Sequence, residues 1–296
     1  MQSKETKKVI VFDKIAAYIF KFSGILIIVI LGLIVLFLFK ESLPFFKEVN
    51  FFDFIAGTAW NPNAFEFDTY GALPLIVSTI IATVGAMAIA IPIGIGTAVF
   101  FSEYAKGRTS EILKFSVEIL SSIPSVVIGF VGLVLIAPFI GKLTGQTNGL
   151  NALTGSILLA LMALPTIISI SADSIRDVPK SLREASLAMG ASKWETISKI
   201  VIPAAKSGIM ASFMLGTGRA IGETMTVLMV TGNSPALPTS FFDSIRTITA
   251  TIAIELGEVA FGSTHFHGLF ALGFVLFILS FGVNLIADRM INRRKI

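Results

Sequence analysis

The sequence predicts an all-α, polytopic membrane protein with six transmembrane helices, and three observations carry that prediction. The chain is 54% hydrophobic and only 14% charged, with a mean hydropathy of +0.85, whereas a soluble domain carries roughly a quarter charged residues. Six apolar runs approach or exceed the roughly 20 residues that a helix needs to cross a bilayer. Lys and Arg are distributed unevenly among the connections: eighteen of the 23 fall in one alternating set of segments, four in the other, and Arg219 lies inside a span. That bias predicts both termini and the segment 173–206 in the cytoplasm.

Composition also excludes. The formal charge of +4 is spread over span ends instead of clustered on a water-facing surface, so no nucleic-acid partner is expected. There are no cysteines, which removes disulfides and thiolate metal sites.

In chain order, a basic segment (1–21) precedes the apolar run 22–39. A signal peptide would be followed by a small-residue cleavage site. Lys40, Glu41 and Pro44 follow instead, so a retained first span is predicted. Residues 40–70, with Trp60 and the turn Asn61-Pro62-Asn63, read as an interfacial loop. We divide the chain into 1–70, comprising the terminal segment, first helix and external loop, and a helical core 71–290 that contains the segment 173–206.

The second span is expected over 73–101, with Pro92, Gly94 and Gly96 near its end. A charged connection, 102–114, leads to a third span over 115–140, interrupted by the polar stretch Ser121 to Ser125. The fourth is expected over 153–171, the fifth over 208–231 and the sixth over 268–287. Residues 247–256 are apolar but too few to cross, which predicts a short interfacial or re-entrant helix.

Between spans four and five lies the longest polar segment of the second half, 173–203. Two Ser-x-x-Glu patterns, Ser181 to Glu184 and Ser192 to Glu195, predict capping boxes. Gly190 predicts the turn between two short helices. By spacing, Trp194, Ile197 and Val201 share one face of the second. A hairpin resting on lipid headgroups is the competing reading.

The spacing Glu184-Ala185-Ser186, three residues, Gly190, nine residues, Ile200-Val201-Ile202-Pro203 resembles the EAA signature of ABC importer permeases, departing from it at Ser186 and Ile202. The resemblance implies the MetI-like, type I permease fold. It also implies that the hairpin inserts into a groove on an ATPase subunit, with Glu184, Ala185, Gly190, Trp194 and Pro203 as coupling residues. No Gly-x4-Gly-Lys-Ser/Thr loop occurs, so ATP and Mg are assigned to partner ATPase subunits and no cofactor to this chain.

Span five contains Arg219 and Glu223, four apart and so expected on one helix face. Ionisable residues at membrane depth usually face a bundle interior or aqueous path. Arg219 suits an oxyanion, with Thr217 and Thr224 as hydroxyl partners; a purely structural ion pair is the alternative. The run from Gly218-Arg219-Ala220 through Glu223-Thr224-Met225 to Gly232-Asn233 is similar to the phosphate-specific permeases, most of all their C-type subunit, PstC. Tyr70 to Pro74 and Ile123 to Phe130 add to that likeness.

The resemblance implies import of inorganic phosphate across a bacterial or archaeal inner membrane. It implies as partners a second, PstA-like permease, a PstB-like ATPase dimer and an extracytoplasmic PstS-like phosphate-binding protein. Permeases for sulfate or molybdate share the Arg-Ala-x-Gly-Glu core and are the alternative, with an ATPase-independent anion carrier behind them. His265 and His267, two apart and without an evident third ligand, are not expected to hold a metal.

Overall fold

A backbone in lipid must satisfy its own hydrogen bonds, which makes apolar runs helical. The computed structural model of the protein describes residues 2–62, 68–105 and 107–292 and shows how each run does so. Helix α1 (Gln2–Ser42) contains the first span, but its most apolar stretch is buried nowhere within the chain. Only its far end joins the bundle, where Phe37 and Phe39 meet Phe270 and Phe274. Helices α2 (Phe45–Glu48) and α3 (Phe51–Ala56) and the antiparallel pair β1 (Trp60–Asn61) and β2 (Thr69–Tyr70) fold the following loop. Asn63 of the expected turn and the basic tail beyond Asn292 lie outside the described residues.

Helix α4 (Leu73–Val99) continues through a π turn (Phe100–Tyr104). Next come α5 (Arg108–Ser122), then α6 (Ser125–Val131) and α7 (Ala137–Thr144), these two joined by a π turn (Gly132–Ile136). Helix α8 (Ala152–Arg176) leads to the hairpin, α9 (Lys180–Ala188) and α10 (Lys193–Thr196), which runs by a π turn (Ile197–Val201) into α11 (Ile202–Ala204). Helices α12 (Lys206–Ile221), α13 (Met225–Val230), α14 (Ile248–Glu255) and α15 (Thr264–Asn292) complete the chain. Among the described residues five helices are long and apolar enough to span a bilayer, six if Lys193–Ala204 and Lys206–Ile221, bent by 68°, count as one.

The centre is α4 against α8. Ala82, Ala86 and Ala90 face Leu159, Ala160, Ala163 and Ile167, all buried. Small residues permit the approach: a Cβ on Gly85 would strike Ser156, and one on Gly94 or Gly216 would strike Ile167. Two further clusters define the ends of the bundle. At the loop end Phe45, Phe54 and Trp60 pack on Leu75, Ile248 and Leu272, so the 40–70 loop shares a core with the remainder of the chain. At the hairpin end Phe101, Ile175, Ile197, Val201 and Ile209 close together.

Four expectations need correction. The third span is Ser125–Thr144, not 115–140: a proline disfavours helical geometry in the residue before it, and Ile123 is extended at ψ 126. Residues 108–122 form the separate α5, which buries no residue fully. The fifth span stops at Ile221, as described below. No Ser181 cap forms, because α9 begins one residue earlier behind Pro179. Trp194 does not share the buried face of Ile197 and Val201; it is 62% exposed while they are 1% and 0% exposed. The short helix expected over 247–256 is present as α14, capped by Thr247, whose hydroxyl accepts from Ala250 N.

Candidate functional site

The residues singled out from the sequence fall in two places, a break between helices of the bundle and the hairpin at its end. The interruption in span five follows from Gly222. Helix α12 closes with Gly222 N–H donating to the Gly218 carbonyl and Glu223 N–H to the Ala220 carbonyl. Residues Glu223 and Thr224 are non-helical, and α13 restarts with the Glu223 carboxylate accepting from Thr226 N–H at 3.2 Å. Arg219 and Glu223 therefore do not lie on one helix face, and among the described residues no ion pair joins them. Arg219 is exposed near the end of α12, and Glu223, half-buried, caps the next helix.

The expected hydroxyl partners also separate. Thr217, two residues from Arg219 and so across the helix from it, donates back to the Phe213 carbonyl at 2.7 Å. It lines an apolar groove with Ile80, Val84, Met87 and Leu279. Thr224 lines a different cavity, of about 490 Å³, with Thr249, Ile252 and Ala253 of α14. The Thr249 hydroxyl donates to the Glu223 carbonyl at 2.8 Å, tying α14 to the interruption.

Tertiary packing brings a second helix junction against this one. Pro124 separates α5 from α6, and the Thr226 hydroxyl donates to the Ser125 carbonyl at 3.0 Å. A Cβ on Gly129 would press on Met229 and on the Thr226 backbone, so α6 and α13 touch closely. The break before α6 and the break after α12 thus abut. Thr226 and Thr249 were not singled out from the sequence as site residues, and Ser125 was marked only as the end of a polar stretch; the local signals were Pro124 and Gly222 themselves.

The hairpin is braced from within and against the bundle. Helix α9 ends in a Schellman turn: Gly190 takes φ +86, its N–H donates to the Leu187 carbonyl, and Ala191 N–H donates to that of Ser186. The capping box predicted for α10 is complete, with Ser192 Oγ accepting from Glu195 N–H and the Glu195 carboxylate accepting from Ser192 N–H at 3.0 Å. The Ser192 amide, then its hydroxyl, then Lys199 hold Glu195 down at a pKa of about 2.

Across the hairpin the Ser186 and Thr196 hydroxyls meet at 2.9 Å. Arg183 donates to Glu103 at 2.9 Å and to the carbonyls of Ile175 and Val178. Lys193 donates to the Glu103 carbonyl at 2.8 Å and sits 3.9 Å over the Tyr104 ring. Glu184, Ala185, Gly190 and Trp194 stay exposed. With Leu182, Leu187 and Met189 they present an apolar tip, Met189 being 88% exposed. Pro203 lies in α11, just before the bend into α12. Glu103, Arg183 and Lys193 escaped sequence reasoning because a charge in a polar segment carries no sign of its partner 80 or 90 residues away.

A bundle of membrane-spanning helices with an exposed, apolar-tipped hairpin at one end is the architecture expected of the permease subunit of an ABC importer. The profile of the "Binding-protein-dependent transport system inner membrane component" family matches residues 90–296, and the chain belongs to that family of multi-pass membrane transport subunits, which act with ATPase and substrate-binding partners.

Among curated relatives, the "Probable ABC transporter permease protein YqgH" of Bacillus subtilis (strain 168) is 41% identical over 82% of this chain and 79% of its own length. The "Phosphate transport system permease protein PstC" of Mesorhizobium japonicum is 37% identical over 92% and 87%. The fold matches a chain of a bacterial ABC transporter involved in the import of alginate, with TM-score 0.61 and 14% identity, over 93% of this chain and 98% of the other. A chain of the inward-facing MetNI methionine transporter matches with TM-score 0.55 and 20% identity, over 75% and 94%.

Proposed function

We propose that this chain is a permease subunit of an ATP-driven importer of inorganic phosphate. The observation that carries the reading is its 37% identity to a phosphate permease across 92% of the chain. The site is consistent with it in kind. Arg219 has no acidic partner among the described residues and keeps its planar donor set available to an oxyanion. Paired interrupted helices are a recurrent way of placing backbone polar groups along a substrate path.

In this reading Arg219 and Glu223 line the path, Thr224 flanks it, and Thr217 supports α12 from the far side. The exposed tip with Glu184, Ala185, Gly190 and Trp194 docks on a PstB-like ATPase dimer, where Mg and ATP reside. Pro203 stiffens the hinge to span five. A PstA-like permease completes the path, and a PstS-like phosphate-binding protein delivers the anion. The Lys and Arg bias puts both termini and the hairpin in the cytoplasm and the 40–70 and 232–267 loops outside. ATP closure draws the coupling hairpins together, and the rigid bracing passes that motion through the 68° bend into α12.

The test is radiolabelled phosphate uptake by the assembled importer, with sulfate and molybdate as competitors. Arg219→Gln is expected to cut uptake by about tenfold or more, on the scale of a lost charge-assisted contact, at normal membrane levels. Unchanged uptake sinks the path assignment, and competition by sulfate or molybdate sinks the cargo.

A further inference from the structure

Glu255 ends α14, and its carboxylate gathers three segments distant in sequence. Trp60 Nε1 donates to it at 3.0 Å, Arg246 NH1 at 2.9 Å, and His265 Nε2 lies 2.9 Å from it. The side chains of Glu255, His265 and Arg246 are only 13%, 10% and 19% exposed. Arg246 also donates through Nε to the Asn233 carbonyl at 2.8 Å. A carboxylate withdrawn from water this far is stabilised by filling its lone pairs with donors, as here. The donors come from β1, from the chain after α13 and from the start of α15.

The first turn of the same helix grips the interruption in span five. Thr249 donates to the Glu223 carbonyl at 2.8 Å, and Ile248 N–H donates to Thr79 Oγ1 at 3.1 Å. Thr224, the next residue, shares a cavity with Thr249, Ile252, Ala253 and Leu256. Helix α14 has 8 residues, hence a length of about 12 Å at 1.5 Å per residue. One end is fastened to the loops, the other to the break that flanks Arg219.

We propose that Glu255 is a positioning residue for transport: it clamps α14 between the loop segments bearing Trp60, Arg246 and His265 and the break at Glu223, so that a partner docking on those loops moves the break. The proposal rests on reading the chain as a permease. A local staple would join the loops to one another and leave the break indifferent.

The assembled importer in proteoliposomes provides the test. The chain has no cysteine, so Thr251→Cys places a single thiol on the buried side of α14, at a residue 0% exposed. A water-soluble maleimide should label it slowly, and about tenfold faster once Glu255→Gln removes the charge that gathers the donors, because local opening then costs less. Glu255→Asp should restore most of the protection. Phosphate uptake should fall about fivefold or more with Glu255→Gln, and adding Thr249→Val should lower it no further, since both cut one linkage.

Unchanged labelling, or uptake losses that multiply, overturns the clamp. If Glu255→Gln does not reach the membrane, His265→Gln removes one contact and is judged by the same labelling. A wild-type importer that moves no phosphate would overturn the cargo reading alone, because labelling does not depend on the cargo.

Discussion

Replacing Arg183 by Met should loosen the hairpin while leaving the bundle intact. Arg183 and Glu103 are 19% and 10% exposed in their side chains, and Arg183 also satisfies the carbonyls of Ile175 and Val178. Methionine keeps the apolar stem but leaves the Glu103 carboxylate without its cation, because Lys193 bonds the backbone carbonyl of Glu103 instead. Removing one partner of a fully buried pair costs about 3–5 kcal/mol. With both groups partly solvated, about 2 kcal/mol is the better figure. That corresponds to about a 30-fold loss in amide protection when the hairpin opens locally.

Hydrogen exchange of the chain in lipid nanodiscs measures this directly over residues 180–204, with α4 and α8 amides as internal controls. The double variant Arg183→Met with Glu103→Gln removes the stranded charge and should recover about half of the lost protection, on the double-mutant logic for a coupled pair. Wild-type protection in Arg183→Met, or a double variant worse than the single, would refute the bracing argument.

Two glycines should respond oppositely to alanine. Gly149 has φ +62, and an added Cβ would fall 1.9 Å from the Ala137 carbonyl oxygen, so Gly149→Ala should cost at least about 3 kcal/mol and abolish normal membrane levels. Gly96 has nothing within 4 Å of its missing Cβ, so Gly96→Ala should raise the thermal midpoint slightly or leave it unchanged. In the hairpin, Glu195 with a pKa of about 2 contributes stability that is full above its ordinary value of 4.5 and is lost as pH falls through about 2. Hydrogen exchange at pH 3 should therefore find α10 still capped, whereas Ser192→Ala, which removes the hydroxyl bonds, should let it fray there; equal fraying in both would refute the assignment.

Much of this architecture was legible because membrane helices are dictated locally. Apolar length locates spans, and Gly190 and Ser192 act within a few residues of themselves, so the hairpin's turn and second cap were predicted correctly. Helix α14 was legible for the same reason. The errors cluster where a local pattern competes with a neighbour in space. The Ser181 box lost to a helix starting behind Pro179. Trp194 matched an apolar face by spacing, but the core that would cover that face reaches only as far as Thr196 and Ile197. In span five, four-residue spacing put Arg219 beside Glu223 only if the helix continued through Gly222, which it does not.

The sequence by itself determined that this chain lives in a membrane, roughly where most of its apolar helices lie and where its hairpin turns, because hydropathy, charge bias and capping are properties of short windows. Only the tertiary structure decided that the breaks at Pro124 and Gly222 abut, that Glu103 braces Arg183, and that Glu255 joins three loops to the same break. Each depends on contacts between residues far apart in the chain, and a hydrogen bond spanning 195 positions leaves no periodicity to read.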